Sequence, residues 1–426
     1  MKRKMAVVLS AAMVASLLTG CGGSTTKTTE AETKAATEAT TEAKTEAETT
    51  EAASEEATTE AASEAETTEA ASEEATTEAA SEAGSEESTG TRTIVDHTGA
   101  EVVLPEKIER VVISSILPLP SVYCLFRGSA DDIVGIHPSS MAAAENSYLI
   151  NVFPEIANAD TSFVENGEVN IEQLLALKPD VVFYSANNTD EREMYDNAGI
   201  PAVGFSTSMS DYDCVETYAD WIQLLGDIYG EQDTANEIIA EGRSVAEEIK
   251  SVTSTIADED KPKVLILFNY ADGVIKTSGS NFFGQYWIET AGGINVAADL
   301  SGTPEINMEQ VYEWDPDIIF ITNFSPYQPD DLYNNTIDGD DWSNVTAVKN
   351  QQVYKFPLGM YRWFPPASDT PLVLKWLATK IQPDLFKDMD MDQEIKDYYE
   401  KYYNVTLTDE DLQKIYNPAS AASGVK

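Results

Sequence analysis

Two segments of this chain, 137 positions apart, carry nearly the same sequence. Residues 170–185 and 307–322 align without a gap, and each predicts a short helix, a Pro-Asp turn and an apolar β-strand. The identical pairs are Asn170/Asn307, Glu172/Glu309, Gln173/Gln310, Pro179/Pro316, Asp180/Asp317 and Phe183/Phe320. Chance is the alternative, because helix–proline–strand units are common in α/β proteins. Two copies at domain-sized spacing predict two similar α/β lobes with a cleft between them.

The residues around the first copy alternate between predicted strands and helical stretches. Residues 91–105 contain a turn and predict an entry hairpin, while 110–113, 132–136, 181–184 and 202–205 predict buried strands. Strands separated by helical stretches predict a parallel sheet with right-handed crossovers.

One long helix is predicted between the lobes, at residues 232–255. Its apolar side carries Ala235, Ile238, Ile239, Gly242, Val245, Ile249 and Val252. A helix of this length spans roughly 36 Å. A strand at 263–268 then begins the second lobe, and residues 388–416 predict a helical tail in which Thr408 opens a helix.

The N-terminus predicts export from the cytoplasm. Lys2, Arg3 and Lys4 precede an apolar run at 5–18 that is too short to span a bilayer as a helix. The following residues resemble a bacterial lipoprotein box, in which Cys21 becomes the lipidated first residue. Such an anchor holds a chain at the extracytoplasmic face of the cell membrane. The alternative is an ordinary signal peptide with a coincidental cysteine.

Residues 24–90 contain 19 Glu and 3 Lys, with no aromatic residue, Val, Ile, Leu or Pro. The sequence Thr-Thr-Glu-Ala-Ala-Ser-Glu begins at positions 49, 58, 67 and 76. This composition cannot form a core, so we expect a disordered, self-repelling tether with transient helix at most. A spacer is the favoured role, and a binding array is the alternative.

The sequence therefore divides into six predicted parts. They are a signal peptide at 1–20, a lipidated cysteine with its tether at 21–90, an N-terminal lobe at 91–230, a connecting helix at 231–256, a C-terminal lobe at 257–387 and a helical tail at 388–426.

Charge and cysteine content exclude some functions. Residues 91–426 carry 55 acidic and 21 basic residues, which argues against nucleic-acid binding because that rests on basic contacts to phosphate. After Cys21 only Cys124 and Cys214 remain, too few for a cysteine metal cluster, and their pairing is left open. We expect no resident cofactor and no protein-bound metal.

Ligands of open parallel sheets bind at the carboxyl ends of the strands, so the exit loops are the candidate site. In the second lobe these loops are 269–272 and 323–327. The candidate ligand-binding residues of the exit loops and the adjacent wall are Ser114, Ser115, His137, Tyr148, Asn187, Asn188, Tyr270 and Asn323.

The segment 357–364 is the most suggestive candidate. Tyr361 and Trp363 offer flat apolar contact with a polar tip, and Arg362 between them can bind carboxylate or catecholate oxygens bidentately. The alternatives are core packing for the two aromatic residues and an ordinary surface ion pair for the arginine. In an acidic chain, Arg362 is predicted to be an anion anchor.

Several motifs, taken in order behind the lipoprotein box, resemble a known family between about Thr93 and Phe386. The family is that of the solute-binding proteins of bacterial ABC importers, in the class that serves ferric siderophores, haem and cobalamin. The motifs are Asp96-His97-Thr98-Gly99 with Leu104-Pro105 and Arg110-Val111-Val112, Asn170-Ile171-Glu172 with Leu177-Lys178-Pro179-Asp180, Gly292-Gly293-Ile294-Asn295-Val296-Ala297, Ala347-Val348-Lys349-Asn350 with Val353-Tyr354, and Trp376-Leu377-Ala378.

This resemblance implies a fold and a function. The fold is α/β, with two Rossmann-like lobes of parallel sheet joined by one long α-helix that limits hinge motion. The function is capture of a metal chelate, most simply a ferric siderophore, by a monomer that delivers it to an ABC permease dimer without catalysis. The resemblance also implies that Glu172 and Glu309 dock onto the two permease subunits, although acids in a first helical turn also compensate the helix dipole.

Other functions remain as alternatives. Cobalamin and haem are the alternative chelates, and the absence of histidine from the second lobe disfavours haem. A Zn²⁺ or Mn²⁺ binder needs more histidines than His97 and His137. A tethered surface hydrolase lacks its usual motifs here, and an adhesin would leave the paired glutamates without a purpose.

Overall fold

The computed structural model describes residues 90–424. The predicted signal peptide, Cys21 and residues 24–89 of the predicted tether lie outside the described residues. The chain enters through an antiparallel hairpin of β1 (Thr91–Val95) and β2 (Glu101–Pro105), as the sequence predicts. The Asp96 carboxylate holds the turn by accepting hydrogen bonds from the backbone N–H groups of Thr98 and Ala100.

The first lobe is built on four parallel strands in the spatial order β4-β3-β7-β8. Nearly every residue of these strands is buried, because helices cover both faces of the sheet. The elements in chain order are β3 (Val111–Ile113), α1 (Leu119–Arg127), β4 (Ile133–Ile136), α2 (Pro138–Asn146), α3 (Leu149–Val152), a small hairpin of β5 (Val164–Glu165) and β6 (Glu168–Val169), α4 (Ile171–Ala176), β7 (Val181–Ser185), α5 (Thr189–Ala198) and β8 (Ala202–Phe205).

Two antiparallel helices follow the first sheet, α6 (Cys214–Tyr229) and α7 (Gln232–Thr253). The buried face of α7 is the predicted stripe, except that Val252 is only half-buried. A Cβ atom on Gly242 would lie 3.2 Å from the Tyr218 ring of α6, so this glycine lets the two helices approach closely. The connecting helix is therefore packed along its length rather than free-standing.

The second lobe has a mixed sheet in the order β12-β10-β9-β13-β14, with β11 paired to the start of β9. The strands β9, β13 and β14 are parallel, whereas β10 and β12 add an antiparallel edge. The elements in chain order are β9 (Lys263–Ala271), β10 (Val274–Thr277), α8 (Phe283–Thr290), β11 (Ile294–Asn295), β12 (Glu305–Ile306), α9 (Met308–Trp314), β13 (Ile318–Ile321), α10 (Pro329–Tyr333), α11 (Thr346–Lys349) and β14 (Val353–Lys355). The predicted α/β class with two lobes is confirmed, and the antiparallel edge is an addition to it.

The chain then returns towards the connecting helix. Helix α12 (Thr370–Ile381) packs against α7 and α6, and α1 of the first lobe also contacts α6. Helices α13 (Met391–Tyr403) and α14 (Asp409–Tyr416) and a 3₁₀ turn at Ser420–Ser423 complete the tail. Thr408 caps α14 reciprocally with Asp411, which is the helix start that the sequence predicts.

The two copies of the repeat occupy equivalent positions, with α4–β7 in one lobe and α9–β13 in the other. Asp180 accepts hydrogen bonds from the backbone N–H groups of Glu109 and Arg110, which precede β3. Asp317 accepts from the backbone N–H of Lys263, which begins β9. These carboxylates therefore tie each repeat to the start of the neighbouring parallel strand.

The basic side chains at these strand starts are matched as well. The Arg110 guanidinium donates to the carbonyl of Leu177 at 2.6 Å, and the Lys263 ammonium donates to the carbonyl of Trp314. Leu177 and Trp314 are themselves 137 positions apart. The duplication is thus visible in hydrogen bonds that the sequence identities alone do not reveal.

Two further features of residues 90–424 bear on the predictions. Cys124 and Cys214 are both free and buried, so they are not paired, and burial raises the pKa of each thiol. No helix in this part of the chain has the length and apolar character needed to cross a membrane.

Candidate functional site

The first lobe contributes loops that follow its four parallel strands. Ser114 and Ser115 follow β3 directly, and His137 follows β4. Asn187 and Asn188 follow β7, where Asn187 is exposed and Asn188 caps α5. The backbone N–H of Ser114 donates to Phe183 on β7, which keeps neighbouring exit loops together.

Three of these predicted residues converge on one buried carboxyl group, that of Glu191. Its oxygens accept hydrogen bonds from the Ser114 hydroxyl at 2.7 Å, the Ser115 hydroxyl at 3.0 Å and the Asn188 amide at 2.7 Å. The Tyr195 hydroxyl adds a fourth bond at 2.9 Å. Glu191 therefore fixes the exit loops of the first lobe, a role that the Asn-x-x-Glu spacing from Asn188 could have signalled.

His137 is the N-cap of α2, and one of its ring nitrogens contacts the backbone of the helix. Its Nδ1 accepts from the backbone N–H of Ser139 at 3.0 Å, which places the proton of the neutral ring on Nε2. Burial lowers the pKa of His137, so the ring is neutral at pH 7. Ala143, further along α2, packs against Tyr361 of the second lobe.

The segment Pro357–Asp369, here called the cross-lobe segment, connects the two lobes directly. The backbone N–H of Tyr148 donates to the carbonyl of Gly359 at 2.7 Å, and the Ser147 hydroxyl donates to Met360 at 3.3 Å. At its other end, the backbone N–H of Ser368 donates to the Ser121 hydroxyl on α1. The cross-lobe segment therefore lies between the lobes and carries Tyr361, Arg362 and Trp363 with it.

Arg362 is 4% exposed and has no carboxylate partner within residues 90–424. Its guanidinium donates to the carbonyl of Ala422 at 2.9 Å and to the Tyr361 hydroxyl at 3.4 Å, and its Nε has no hydrogen-bond partner in the described part of the chain. The guanidinium also lies over the Phe324 ring at 4.6 Å. A buried cation without a counter-charge costs several kcal/mol unless an anion compensates it.

Half-buried aromatic rings continue from Arg362 across the second lobe. Phe268 contacts both Phe324 and Phe282 at ring distances of 5.2 Å, and Phe282 contacts Tyr212 of the first lobe at 5.9 Å. Sequence analysis does not single out these rings, although Phe324 lies in a predicted exit loop. Together they form an aromatic wall from Phe324 to Tyr212.

Asn323 lies beside this wall, after β13. Its amide donates to the carbonyls of Phe356 and Pro357 at 3.0 and 2.9 Å, which fixes the start of the cross-lobe segment. Its Oδ1 has no hydrogen-bond partner among residues 90–424. Asn323 therefore combines a structural role with one free acceptor near Arg362.

Trp363 lies in the core rather than on an open surface. Its indole N–H donates to Asp369 at 2.8 Å, and the same carboxylate oxygen accepts from the backbone N–H of Met360 at 2.7 Å. Burial raises the pKa of Asp369 to about 6, even though these donors oppose the shift. The use of Trp363 as a ligand contact stays a prediction, and this placement favours its core-packing alternative.

The rings of Tyr148 and Tyr270 pack against residues that are not predicted candidates. The Tyr148 ring packs against Tyr399 of α13 at 5.8 Å. The expected exit loop at 269–272 is instead the end of β9 and the beginning of a hairpin turn, because β9 continues past the end of β13. Tyr270 is consequently fully buried against Trp342 and Tyr327.

The predicted docking residues are exposed and begin equivalent helices. Glu172 follows Asn170, whose side chain caps α4, and Glu309 follows Asn307, whose side chain caps α9. The short helices leave both carboxylates at the surface. Their role in docking stays a prediction.

No cluster of three or more His, Cys, Asp or Glu side chains able to hold a metal ion occurs among residues 90–424. Arg362 instead has the Tyr361 hydroxyl and the Ala422 carbonyl as its polar neighbours. Two α/β lobes around a buried cation and an aromatic wall define a two-lobed solute-binding protein.

Comparison with known families identifies the particular group. Residues 122–358 match the model of the periplasmic binding protein family, and the chain belongs to that family. Members of this kind are substrate-binding components of ABC importers rather than enzymes. The protein therefore binds a small-molecule substrate outside the cytoplasm and delivers it to a permease.

Curated relatives differ in what they bind. The chain is 26% identical over 351 residues to the molybdate-binding protein MolA of Haemophilus influenzae, covering 78% of this chain and 93% of the relative. It is 24% identical over 269 residues to the Fe(3+)-citrate-binding protein YfmC of Bacillus subtilis, covering 63% and 79%.

Solved structures agree with the fold. A periplasmic solute-binding protein from Veillonella parvula has a TM-score of 0.69 and 35% identity, covering 77% of this chain and 97% of that chain. The molybdate-bound MolA of H. influenzae has a TM-score of 0.64 at 24% identity, covering 74% and 99%, and supports the fold alone.

Proposed function

We propose that this protein captures an anionic ferric chelate, most simply a ferric siderophore, between its lobes and presents it to an ABC permease dimer. The observation that carries the proposal is the buried Arg362, which has no carboxylate partner among residues 90–424. A chain with net charge −47 does not lack carboxylates that could pair with this side chain. The absence of a carboxylate partner among residues 90–424 is explained if an anionic ligand supplies the negative charge for Arg362.

The aromatic wall favours a chelate over a bare oxyanion. Phe268, Phe282 and Phe324 offer apolar ring faces that a small oxyanion cannot use, whereas the organic shell of a siderophore can stack on them. Asn323 Oδ1 could accept a hydrogen bond from the same shell. Ser114, Ser115, His137, Asn187 and Asn188 are proposed to complete the first lobe's side.

Two relatives are named for the ligands they bind, and both ligands support anion recognition by this protein. Ferric citrate and molybdate are both metal-containing anions, although they differ greatly in size. Molybdate is therefore the second candidate for this chain. Cobalamin and haem are retained as further alternatives because both could use the aromatic wall.

Membrane attachment and permease docking belong to the same proposal. A lipid on Cys21 and the acidic segment at 24–90 would let lobes at 91–230 and 257–387, joined by the helix at 231–256, reach the permease as a monomer. Glu172 and Glu309 begin equivalent helices of the duplicated unit and are exposed. A pair of anions related by the duplication suits a twofold permease, so we propose that each glutamate contacts one subunit.

The ligand class is tested by thermal unfolding of the full-length protein with ferric enterobactin, ferric citrate, molybdate, cyanocobalamin and haemin. A ligand present at 100 times its Kd stabilises the folded protein by about 2.7 kcal/mol and raises the melting temperature. We expect a ferric chelate to give the largest shift. Stabilisation by molybdate alone would replace the chelate with an oxyanion, and stabilisation by cyanocobalamin alone would contradict anion recognition.

The anchor is tested with Arg362→Ala in the same assay and by quenching of tryptophan fluorescence. We expect the variant to bind the ferric chelate at least about 30-fold more weakly, because truncating a buried charge contact costs about 2–5 kcal/mol. Arg243→Ala is the matched control, since Arg243 is half exposed and pairs with Glu216 on the helix surface. Equal affinity of the Arg362 and Arg243 variants would refute the anchor.

A further inference from the structure

The end of the chain returns to the space between the lobes. In the last turn of α14, the carbonyl of Ile415 accepts a hydrogen bond from the backbone N–H of Leu358 at 2.8 Å. The Gln328 amide then donates to the carbonyl of Pro418 at 3.5 Å and to the Ser420 hydroxyl at 3.3 Å. Residues 417–424, here called the C-terminal plug, are thereby guided along the second lobe towards Arg362.

The C-terminal plug ends against both lobes at once. The carbonyl of Ala422 accepts a hydrogen bond from Arg362 Nη2 at 2.9 Å, on the second lobe's side. The 3₁₀ turn that contains Ala422 packs against α2 of the first lobe, which begins at His137. Ala422 is 3% exposed, whereas the preceding Ala421 is exposed.

We propose that the C-terminal plug is a built-in competitor for Arg362, so that an anionic ligand must displace it to reach the guanidinium. The Ala422 carbonyl occupies one N–H of Arg362 with a partial negative charge, as a ligand oxygen would. This inference rests on the proposed function, because it assigns the competition to the same anion site. Its test is designed to separate the two.

The contacts of the plug are suited to reversible release. Hydrogen bonds from the side chains of Arg362 and Gln328 help to hold the plug, and Ala419, Ser420 and Ala421 are exposed. Segments with few buried contacts open at low free energy. An anion offers Arg362 a hydrogen bond in which both partners are charged, which is stronger than the bond to a neutral carbonyl.

Two cavities adjoin the beginning of the plug. A cavity of about 430 Å³ lies beside Asn417 and is lined by Gln328 and Tyr416, among others. A second cavity of about 310 Å³ lies beside Pro418 and is lined by Tyr148 and Leu358. These cavities give the plug space to enter once the buried contact of Ala422 opens.

The competition has a quantitative consequence for affinity. A protein whose binding-competent state is only a fraction of the population binds with its affinity reduced by that fraction. If the plug is seated in about 90% of molecules, releasing it strengthens anion binding about 10-fold. The fold is unchanged by release, so the gain appears in the Kd and not in the secondary structure.

The experiment compares Ala422→Arg with the neighbouring Ala421→Arg in the full-length protein. A second arginine at position 422 repels Arg362 and expels the plug, whereas at the exposed position 421 it adds the same charge without touching Arg362. The Kd is measured for ferric citrate and for molybdate. We expect Ala422→Arg to bind the preferred probe at least about 5-fold more tightly than Ala421→Arg.

Gln328→Ala provides a second variant that adds no charge, since it only removes two hydrogen bonds to the plug. We expect it to strengthen binding about 2-fold. In parallel, hydrogen–deuterium exchange of residues 417–424 is followed in the wild-type protein. Saturation with the bound probe should accelerate exchange there by at least about 5-fold, and Ala422→Arg should show the fast rate without any probe.

The outcomes distinguish the two proposals. Equal affinities of the position 421 and 422 variants, or plug exchange that stays slow when the probe saturates the protein, would overturn the competitor while leaving anion capture intact. Failure of both probes to bind even Ala422→Arg would overturn anion capture and the competitor together. Binding by Ala422→Arg alone would support both.

Discussion

The two lobes share one structural unit but differ at the edge of the sheet beside it. In the first lobe, β3 has the parallel strand β4 as its outer neighbour, reached through helix α1. In the second lobe, the equivalent strand β9 turns directly into the antiparallel strand β10. The duplicated helix–turn–strand unit therefore fixes the centre of each sheet, whereas the edge can be completed by either kind of connection.

This difference changes what each lobe offers to the cleft. The parallel edge of the first lobe ends in a loop at His137 and starts α2 there. The hairpin edge of the second lobe has no such exit, and it carries Tyr270 into a separate core. The second lobe instead supplies the cleft from the cross-lobe segment, which brings Arg362. Arg362 therefore comes from the cross-lobe segment, whereas the polar loops come from the strand ends of the first lobe.

If the lobes are equivalent towards a permease, their glutamates should matter equally. We expect Glu172→Ala and Glu309→Ala each to lower uptake about 10-fold and the double variant about 100-fold, since each removes one charge contact worth about 1.4 kcal/mol. The measurement is uptake of the radiolabelled ligand by cells, together with the Kd of the purified protein. The Kd should not change.

Glu168 and Glu305 provide matched controls for that pair. They are also 137 positions apart, are exposed, and lie just before the same two helices. Glu168→Ala with Glu305→Ala should leave uptake unchanged. Loss of uptake in only one of the docking single variants would show that the permease contacts the two lobes differently.

The sequence predicts the centres of the lobes well because their signals are local. Buried strand β8 at Ala202–Phe205 and the connecting helix follow from apolar runs and helical periodicity. The Thr408 cap follows from its spacing to Asp411. The exit loop predicted at 269–272 is wrong, because β9 continues to Ala271 and turns into β10. The sequence does contain a sign of this hairpin, since Asp272-Gly273 between β-forming residues is typical of a two-residue hairpin turn.

Long-range contacts explain what the sequence could not provide. Arg362 is a candidate anchor from its neighbours alone, but its lack of a carboxylate partner among residues 90–424 emerges only when the chain is folded. The Ala422 carbonyl is 60 positions away from it, and an alanine carries no chemical signal. The acceptor role of Glu191 depends in the same way on serines more than 70 positions earlier.

The aspartates of the repeat, Asp180 and Asp317, allow the two lobes to be compared by their effect on the free energy of unfolding. Asp180 accepts two backbone N–H bonds, whereas Asp317 accepts one, and both side chains are half-buried. A hydrogen bond to a charged group contributes about 1.5 kcal/mol or more. We expect Asp180→Ala to lower the free energy of unfolding by about 2–3 kcal/mol and Asp317→Ala by about 1–2 kcal/mol, measured by urea denaturation.

Asp258→Ala serves as the control for these aspartates, because the Asp258 side chain is 88% exposed and pairs only with Lys261 at the surface. It should change the stability by less than about 0.5 kcal/mol. An equal cost at Asp180 and Asp317 would mean that the second bond of Asp180 contributes nothing to the stability of the first lobe.

The smallest expected effect tests the two sheet edges against each other. Gly273 has φ +75° in the β9–β10 turn and Gly128 has φ +65° at the end of α1, and a Cβ at either position would meet no atom within 4 Å. Replacement by alanine should therefore cost only the backbone strain, about 1 kcal/mol in the free energy of unfolding at each position. Asparagine tolerates positive φ and should recover part of the loss at both sites. A loss of stability at Gly273 well above that at Gly128 would show that the hairpin turn holds the edge of the second sheet in register. In the first lobe, the helical crossover would then not depend on a single residue in this way.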